Sequence, residues 1–282
     1  EVAATIHRLG TDLKDEWHLG ANVTVAPYTA CQRCTACRAG RPNCCRYNET
    51  LGVQRDGALT KFIQMPEDKI FPCPSLTGTE TALVEPLTVG NHAVRRGRVA
   101  KNDTVAVIGC GTIGLGAIAA AAARKADVIA VDIEDAKLQL AEKAGAQVVV
   151  NSARESLMTR LEEITEGNGP SVIIEAVGLP DTLRTAVEEA AFAGRVVYIG
   201  YAKEAVAYES SYVVRKELDI LGSRNATTED FQDVIRMLSA GKFPVAETIS
   251  LIVPIGKAGE ALAAWSVHPE QYKKILVDTT SL

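Results

Sequence analysis

From residue 104 onward the chain alternates two hydrophobic periods. Short runs rich in Val and Ile lie at 104–108, 127–132, 147–150, 172–175, 196–199 and 218–221. Between them lie longer stretches with helical spacing, near 134–144, 153–166, 180–192 and 227–240, and an alanine-rich stretch reaches about Lys125. Short apolar strands alternating with helices of ten or more residues predict an α/β fold with a doubly wound parallel sheet. Before residue 104 the pattern differs. Residues 1–30 and 51–72 alternate apolar and polar in short runs, broken by Gly10, Gly20, Pro27, Gly52, Gly57 and Pro66. They read as strands and turns of a separate sheet or small barrel. Residues 245–282 read as strand, helix, strand.

The first of the parallel units carries chemistry. TVAVI at 104–108 leads into Gly109, Gly111 and Gly114, a G-x-G-x-x-G turn with Thr112 and Ile113 inside it, and the next strand ends at Asp132. Gly109 lets the chain turn sharply, Gly111 lets a pyrophosphate approach the backbone, and Gly114 lets the helix lie close to the sheet. The helix N-terminus offers unpaired N–H groups and the positive end of its dipole to phosphate. Asp132 stands where an acid binds a ribose 2′-hydroxyl and would repel a 2′-phosphate, so the expected cofactor is NAD. Ligands of such sheets lie at the carboxyl ends of the strands. That places Val177, Gly178, Ile199 and Gly200 beside the nicotinamide half.

A second site precedes it. Residues 31–45 read CQRCTACRAGRPNCC, and four thiolates from Cys31, Cys34, Cys37 and Cys45 can close a tetrahedron around zinc. Such a site has no open position, so the metal is structural. Cys44 competes for the fourth place, and spacing favours Cys45. Gly40 and Pro42 suggest an irregular loop without secondary structure. Cys73 and Cys110 read as buried small hydrophobes. Further on, Glu85 lies among Ala82, Leu83, Val84 and Leu87, where a carboxylate is costly unless paired or metal-bound. An acid at a helix N-cap beside Pro86 fits the local sequence equally well, and His92 reads as a helix residue.

Composition narrows the partners. Thirty Lys and Arg against 35 Asp and Glu give a net charge of −5, which supplies no basic field for nucleic acid or an anionic membrane. Arg95, Arg96 and Arg98 read as a solvated helix end. No apolar run is long enough to span a bilayer, and seven cysteines with four at metal spacing point to a reducing compartment, the cytoplasm.

Taken as a set, the cysteine loop, EPLTVG, GCGTIGLG and the closing VD resemble the zinc-dependent medium-chain alcohol dehydrogenases, and EPLTVGNHA is similar to their sorbitol and polyol branch. The resemblance covers the whole chain, through IGKAGEALAAW and KKILVD. It implies a GroES-like catalytic domain over 1–86 and a Rossmann cofactor domain over 87–222. The chain would then return to the catalytic domain over 223–282. It implies hydride transfer between NAD and a polyol or sugar acid, with threonine and simple alcohols as alternative substrates, and a homodimer or homotetramer. It assigns Glu85 to a catalytic zinc and matches Glu1 to the glutamate of a Gly-His-Glu motif. The histidine and a catalytic cysteine would then precede residue 1, so the catalytic domain is expected to be incomplete at its N-terminus. A truncated, inactive NAD-binding form is the remaining alternative. Arg224 reads equally as a cofactor contact or an exposed arginine; Trp265 and His268 read as packing.

Overall fold

The computed structural model describes residues 1–14 and 16–280. The chain opens with a three-stranded antiparallel sheet built from β1 (Ala4–Thr5), β2 (Asn22–Val25) and β3 (Ile70–Pro72), in that order. Between β2 and β3 lies the cysteine loop. It is not irregular throughout: Thr35–Arg38 form a helical turn, α1, and Pro42–Cys44 a 3-10 turn, both begun where carbonyls of the loop accept nearby N–H groups. The strands expected over 51–72 shrink to β3 and one isolated bridge, Leu51 to Arg55. Val53, Leu59 and Phe62 are exposed there, so no apolar face is buried to hold a strand.

Helix α2 spans Gly78–Arg96. It starts at Thr77, where Thr77 N donates to Glu80 Oε2 at 2.7 Å and Glu80 N to Thr77 Oγ1 at 3.3 Å, a reciprocal capping box. Glu85 is therefore inside the helix and not its N-cap. Pro86 sits within it, removing one N–H from the helical ladder.

The α/β alternation follows the expected order, with ends shifted by a residue or more. It runs β4 (Thr104–Ile108), α3 (Thr112–Ala123), β5 (Asp127–Asp132), α4 (Asp135–Lys143), β6 (Val148–Asn151) and α5 (Leu157–Ile164). It continues with β7 (Val172–Glu175), α6 (Pro180–Glu189), β8 (Arg195–Tyr198), α7 (Ser210–Arg215) and β9 (Asp219–Gly222). The six strands form one sheet in the order β6-β5-β4-β7-β8-β9, every pair parallel. Strand order reverses at β4, which has β5 on one side and β7 on the other. This is the switch point where such sheets bind ligands. The β-branched side chains of β4, β5, β7 and β8 are buried on both faces, around Ile108, Ile129, Val131, Ile173 and Val196.

After the sheet come α8 (Thr228–Ser239), α9 (Val245–Thr248), β10 (Leu251–Pro254), α10 (Ala258–Val267) and β11 (Ile275–Asp278), with β10 and β11 pairing in parallel. A second capping box opens α8, with Thr227 N donating to Asp230 Oδ2 at 2.8 Å. Phe231 of α8 stacks on Phe71 of β3 with ring centroids 4.3 Å apart. Trp265 is half-buried on α10, but His268 is exposed at that helix's end, 3.5 Å from Glu270, and does not pack as expected. Two compact units result. One comprises Glu1–Glu85, Asn225–Gly241 and Val245–Leu282, the other Pro86–Arg224 and Lys242–Pro244.

Candidate functional site

The glycine turn sits at the carboxyl end of β4, and each glycine there has a different physical reason. Gly109 has φ +98°, and a Cβ on it would lie 2.7 Å from Val177 Cγ2. A Cβ on Gly114 would strike the Gly109 carbonyl oxygen at 1.8 Å, so only glycine lets α3 start this close to the strand. Gly111 is constrained by neither. Its φ is −68°, and a Cβ there would meet nothing within 4 Å. It is exposed at the N-cap of α3, with half-buried Thr112 and Ile113 beginning the helix. An open space over a side-chain-free backbone, at the N-terminus of a twelve-residue helix, is suited to receive a diphosphate.

Asp132 closes β5 next door. Its Oδ2 accepts Cys110 N at 2.7 Å, and its Oδ1 accepts Ile133 N at 2.8 Å and Glu134 N at 3.1 Å. A carboxylate offers about four acceptor positions, so one is left for a ribose hydroxyl. Lys137, one turn into α4, donates to Glu134 Oε1 at 2.6 Å. Burial works to lower its pKa, but the Glu134 hydrogen bond and the negative charges of Asp132 and Glu134 outweigh it and hold the ammonium above its ordinary value. Lys137 thus sits charged beside Asp132. It was missed at the sequence level, and the signal available was a lysine one helical turn after the strand-end acid.

On the other side of β4 the turns after β7 and β8 meet. Ala176 N donates to Ile108 O at 2.9 Å, and Ile199 N donates to Glu175 O at 2.9 Å. Val177 is exposed, while Gly178, Ile199 and Gly200 are half-buried. The turns holding Gly109, Val177 and Gly178, and Ile199 and Gly200 therefore share one edge of the sheet. Arg224 is exposed beyond the end of β9, the outermost strand, three strands from β4.

In the cysteine loop the Sγ atoms of Cys31, Cys34, Cys37 and Cys45 all lie within 4.8 Å of one another. Cys34 Sγ is 3.5 Å from Cys37 Sγ and 4.0 Å from Cys45 Sγ. A tetrahedral ion with Zn–S near ~2.3 Å requires sulfur separations of about 3.8 Å. Backbone N–H groups of Cys31 and Tyr47 point at Cys45 Sγ, each at 3.3 Å, and that of Cys34 at Cys31 Sγ, also 3.3 Å. The N–H groups of Cys37 and Arg46 help pull the Cys34 thiol down to about 6, while burial and the neighbouring Cys34 and Cys45 sulfurs push Cys37 up to about 12, so the thiols titrate as one coupled group. Cys44 stays outside the cluster, with Arg41 Nη2 3.6 Å from its sulfur. The donor set fits zinc.

The expected catalytic-metal residues do not assemble a comparable set. Glu85 is buried in α2 and accepts a short hydrogen bond from Tyr28 Oη. Burial raises its pKa, and the nearby Glu1 carboxylate adds to that, against the Tyr28 hydrogen bond and the Lys274 charge. Burial, then the Glu85 charge, push the Tyr28 hydroxyl well above its ordinary value. Glu1 itself pairs with the buried Lys274. Among the described residues the four thiols are the one group of three or more metal donors, so Glu1 and Glu85 alone do not make a metal site.

Comparison with known proteins bears on the whole chain. Residues 112–240 match the family described as zinc-binding dehydrogenase, and residues 1–75 match the alcohol dehydrogenase GroES-like domain. L-galactonate-5-dehydrogenase of Escherichia coli K12 is 34% identical over 242 residues, covering 86% of this chain and 71% of its own. Sorbitol dehydrogenase of Bacillus subtilis is 34% identical over 226 residues, covering 79% of this chain and 64% of its own. An alcohol dehydrogenase of E. coli CFT073, solved with NADH, superposes with a TM-score of 0.89 at 27% identity, over 98% of this chain and 81% of that one. Matched by both family models, and at 34% identity over 86% of its length by one of these dehydrogenases, the chain belongs to the zinc-type alcohol dehydrogenase family of oxidoreductases.

Proposed function

We propose that this chain is a dehydrogenase that moves hydride between NAD and a secondary alcohol of a polyol or sugar acid. The observation that carries the cofactor reading is Gly111: among the described residues nothing forbids a side chain there, and the space above it faces a helix N-terminus. Gly109, Gly111, Thr112, Ile113 and Gly114 would hold the diphosphate, and Asp132 with Lys137 the adjoining ribose. Val177, Gly178, Ile199 and Gly200, with Arg224 farther along the edge, would take the nicotinamide half. The bound nicotinamide supplies the hydride acceptor. The chain supplies grip and orientation, through backbone N–H groups for the phosphates and a carboxylate already held by three backbone donors for the ribose. The zinc of Cys31, Cys34, Cys37 and Cys45 would brace its loop and take no part in the reaction.

The substrate class is supported by the likeness to L-galactonate-5-dehydrogenase and sorbitol dehydrogenase, one named for a sugar acid and the other for a polyol. The same reading makes the protein cytoplasmic and a homodimer or homotetramer; among the described residues no helix is long and apolar enough to cross a membrane. The test is NADH formation from a panel of sorbitol, galactonate, threonine and ethanol, beside calorimetric titration with NADH. Turnover confined to ethanol removes the polyol reading, and no binding of NADH removes the whole.

A second reading has its own observation. The Glu1 carboxylate is engaged by Lys274 and that of Glu85 by Tyr28. A protein that binds NAD without turnover would look the same. One zinc per chain, NADH bound and no activity on any alcohol would favour it; two zincs with turnover favour the enzyme, in which Glu1 and Glu85 contribute to the second.

A further inference from the structure

Glu175 is the most deeply buried acid of the sheet. It is the last residue of β7 and is fully buried. Its register places it beside Ile108, the residue before Gly109, and beside Tyr198, the residue before Ile199 and Gly200. Both turns thus begin at its flanks, and a third follows it in sequence.

The side chain acts on that third turn. Its Oε1 accepts Val177 N at 2.9 Å, Gly178 N at 2.8 Å and Thr182 Oγ1 at 2.7 Å. Its backbone carbonyl accepts Ile199 N at 2.9 Å and Gly200 N at 3.2 Å. Its Oε2 is buried and has no partner among the described residues. That oxygen faces Gly200, where a Cβ would come within 2.6 Å of it and 2.3 Å of Gly178 N. Gly178 in turn has φ +83° and packs against Tyr201 N, 2.8 Å from where its Cβ would be. A buried carboxylate with one idle oxygen weakens a fold, because its desolvation is only half compensated. What it provides is a single acceptor on which two consecutive N–H groups and a hydroxyl converge. That convergence holds the turn carrying Val177 and Gly178 flush with the Gly200 backbone.

We propose that Glu175 is a positioning residue for the nicotinamide end of the dinucleotide, locking the turns after β7 and β8 into one receiving surface. The proposal rests on the NAD reading above. Asp132 and Glu175 lie on opposite sides of β4, so the two ends of the ligand are held by separate carboxylates, one through direct contact and one through backbone it shapes.

The test compares NADH with ADP-ribose, which lacks only the nicotinamide, by calorimetry on the zinc-loaded full chain. The variants are Glu175→Leu, Glu175→Gln and Gly200→Ala, with melting curves as the check on folding. Glu175→Leu and Gly200→Ala are expected to weaken NADH about tenfold or more and to leave ADP-ribose within about threefold. Glu175→Gln keeps an acceptor oxygen and is expected to bind NADH within about threefold of the parent. Equal weakening of both ligands would reduce Glu175 to a structural role and overturn the proposal, as would NADH affinity unchanged in Glu175→Leu and Gly200→Ala. Where Glu175→Leu does not fold, Gly200→Ala and Thr182→Val decide by the same comparison. A parent protein that binds neither ligand overturns the NAD reading itself, an outcome distinct from either of these.

Discussion

The Asp132 carboxylate accepts the backbone N–H of Cys110, the residue between the first two glycines of the turn, at 2.7 Å. The acid therefore shapes the glycine turn, and in the proposed cofactor placement it would also face the ribose. Asp132→Ser is expected to weaken NAD about tenfold or more, through loss of a charge-assisted hydrogen bond. It should also shift the NADP-to-NAD preference upward, because Lys137 remains beside the vacated position. Titration of both cofactors measures this. An unchanged ratio would mean that Asp132 serves only the turn.

Gly111 and Gly114 separate ligand from fold. Gly111→Ala places a methyl group in open space at an allowed φ, so its stability should fall by no more than about 1 kcal/mol while NADH affinity drops at least about tenfold. Gly114→Ala drives a methyl into the Gly109 carbonyl and should cost more than about 2 kcal/mol in urea unfolding.

The cysteine loop predicts which thiol matters. Cys45→Ser should lose the structural zinc and lower the melting temperature, and chelation of the parent protein should reproduce both effects. Cys44→Ser should keep about one structural zinc per chain, since that sulfur stands outside the cluster. Elemental analysis reads the difference.

How much of this was legible beforehand depends on the range of the interaction. The parallel sheet was, because a strand buried on both faces must be apolar throughout, and 105–108 and 172–174 are. The clustering of the four thiols was legible because their spacing along the chain sets their spacing in space, and so was the place of Asp132 at a strand end beside the glycine turn. Glu85 was ambiguous because Pro86 reads as a helix start, whereas the start is set eight residues earlier by Thr77 and Glu80. The segment 51–69 alternates like a strand, but Val53, Leu59 and Phe62 stay exposed and it builds no apolar face against a sheet. Glu175 was seen only as a strand end, since its role needs the turn after β8, brought alongside by the sheet and by nothing local.

Asp103, just before β4, predicts an acid sensitivity. Burial raises its pKa, but hydrogen bonds from Ala100 N, Ser171 Oγ and Arg195, with the Arg195 charge, outweigh burial and hold it below the usual carboxylate range. A depressed carboxylate stabilises the fold fully above its unfolded pKa, near ~3.9, and loses that contribution as pH falls through the lower folded value. Asp103→Asn is expected to cost roughly 2–4 kcal/mol at neutral pH, and less at about pH 3. Urea midpoints at the two pH values check it; an equal loss at both would show that ionisation is not what Asp103 contributes.

That clasp joins the points where β4, β7 and β8 enter the sheet, through Asp103, Ser171 and Arg195. Gly109, Glu175 and Gly200 stand where the same strands leave it. Strands of four or five residues separate the two ends by roughly 13–17 Å. At such a span, changes at one end and the other should add without interfering. The sheet thus divides its labour lengthwise: one rim keeps the scaffold shut, and the opposite rim is left free to be retuned toward a new ligand without loosening it.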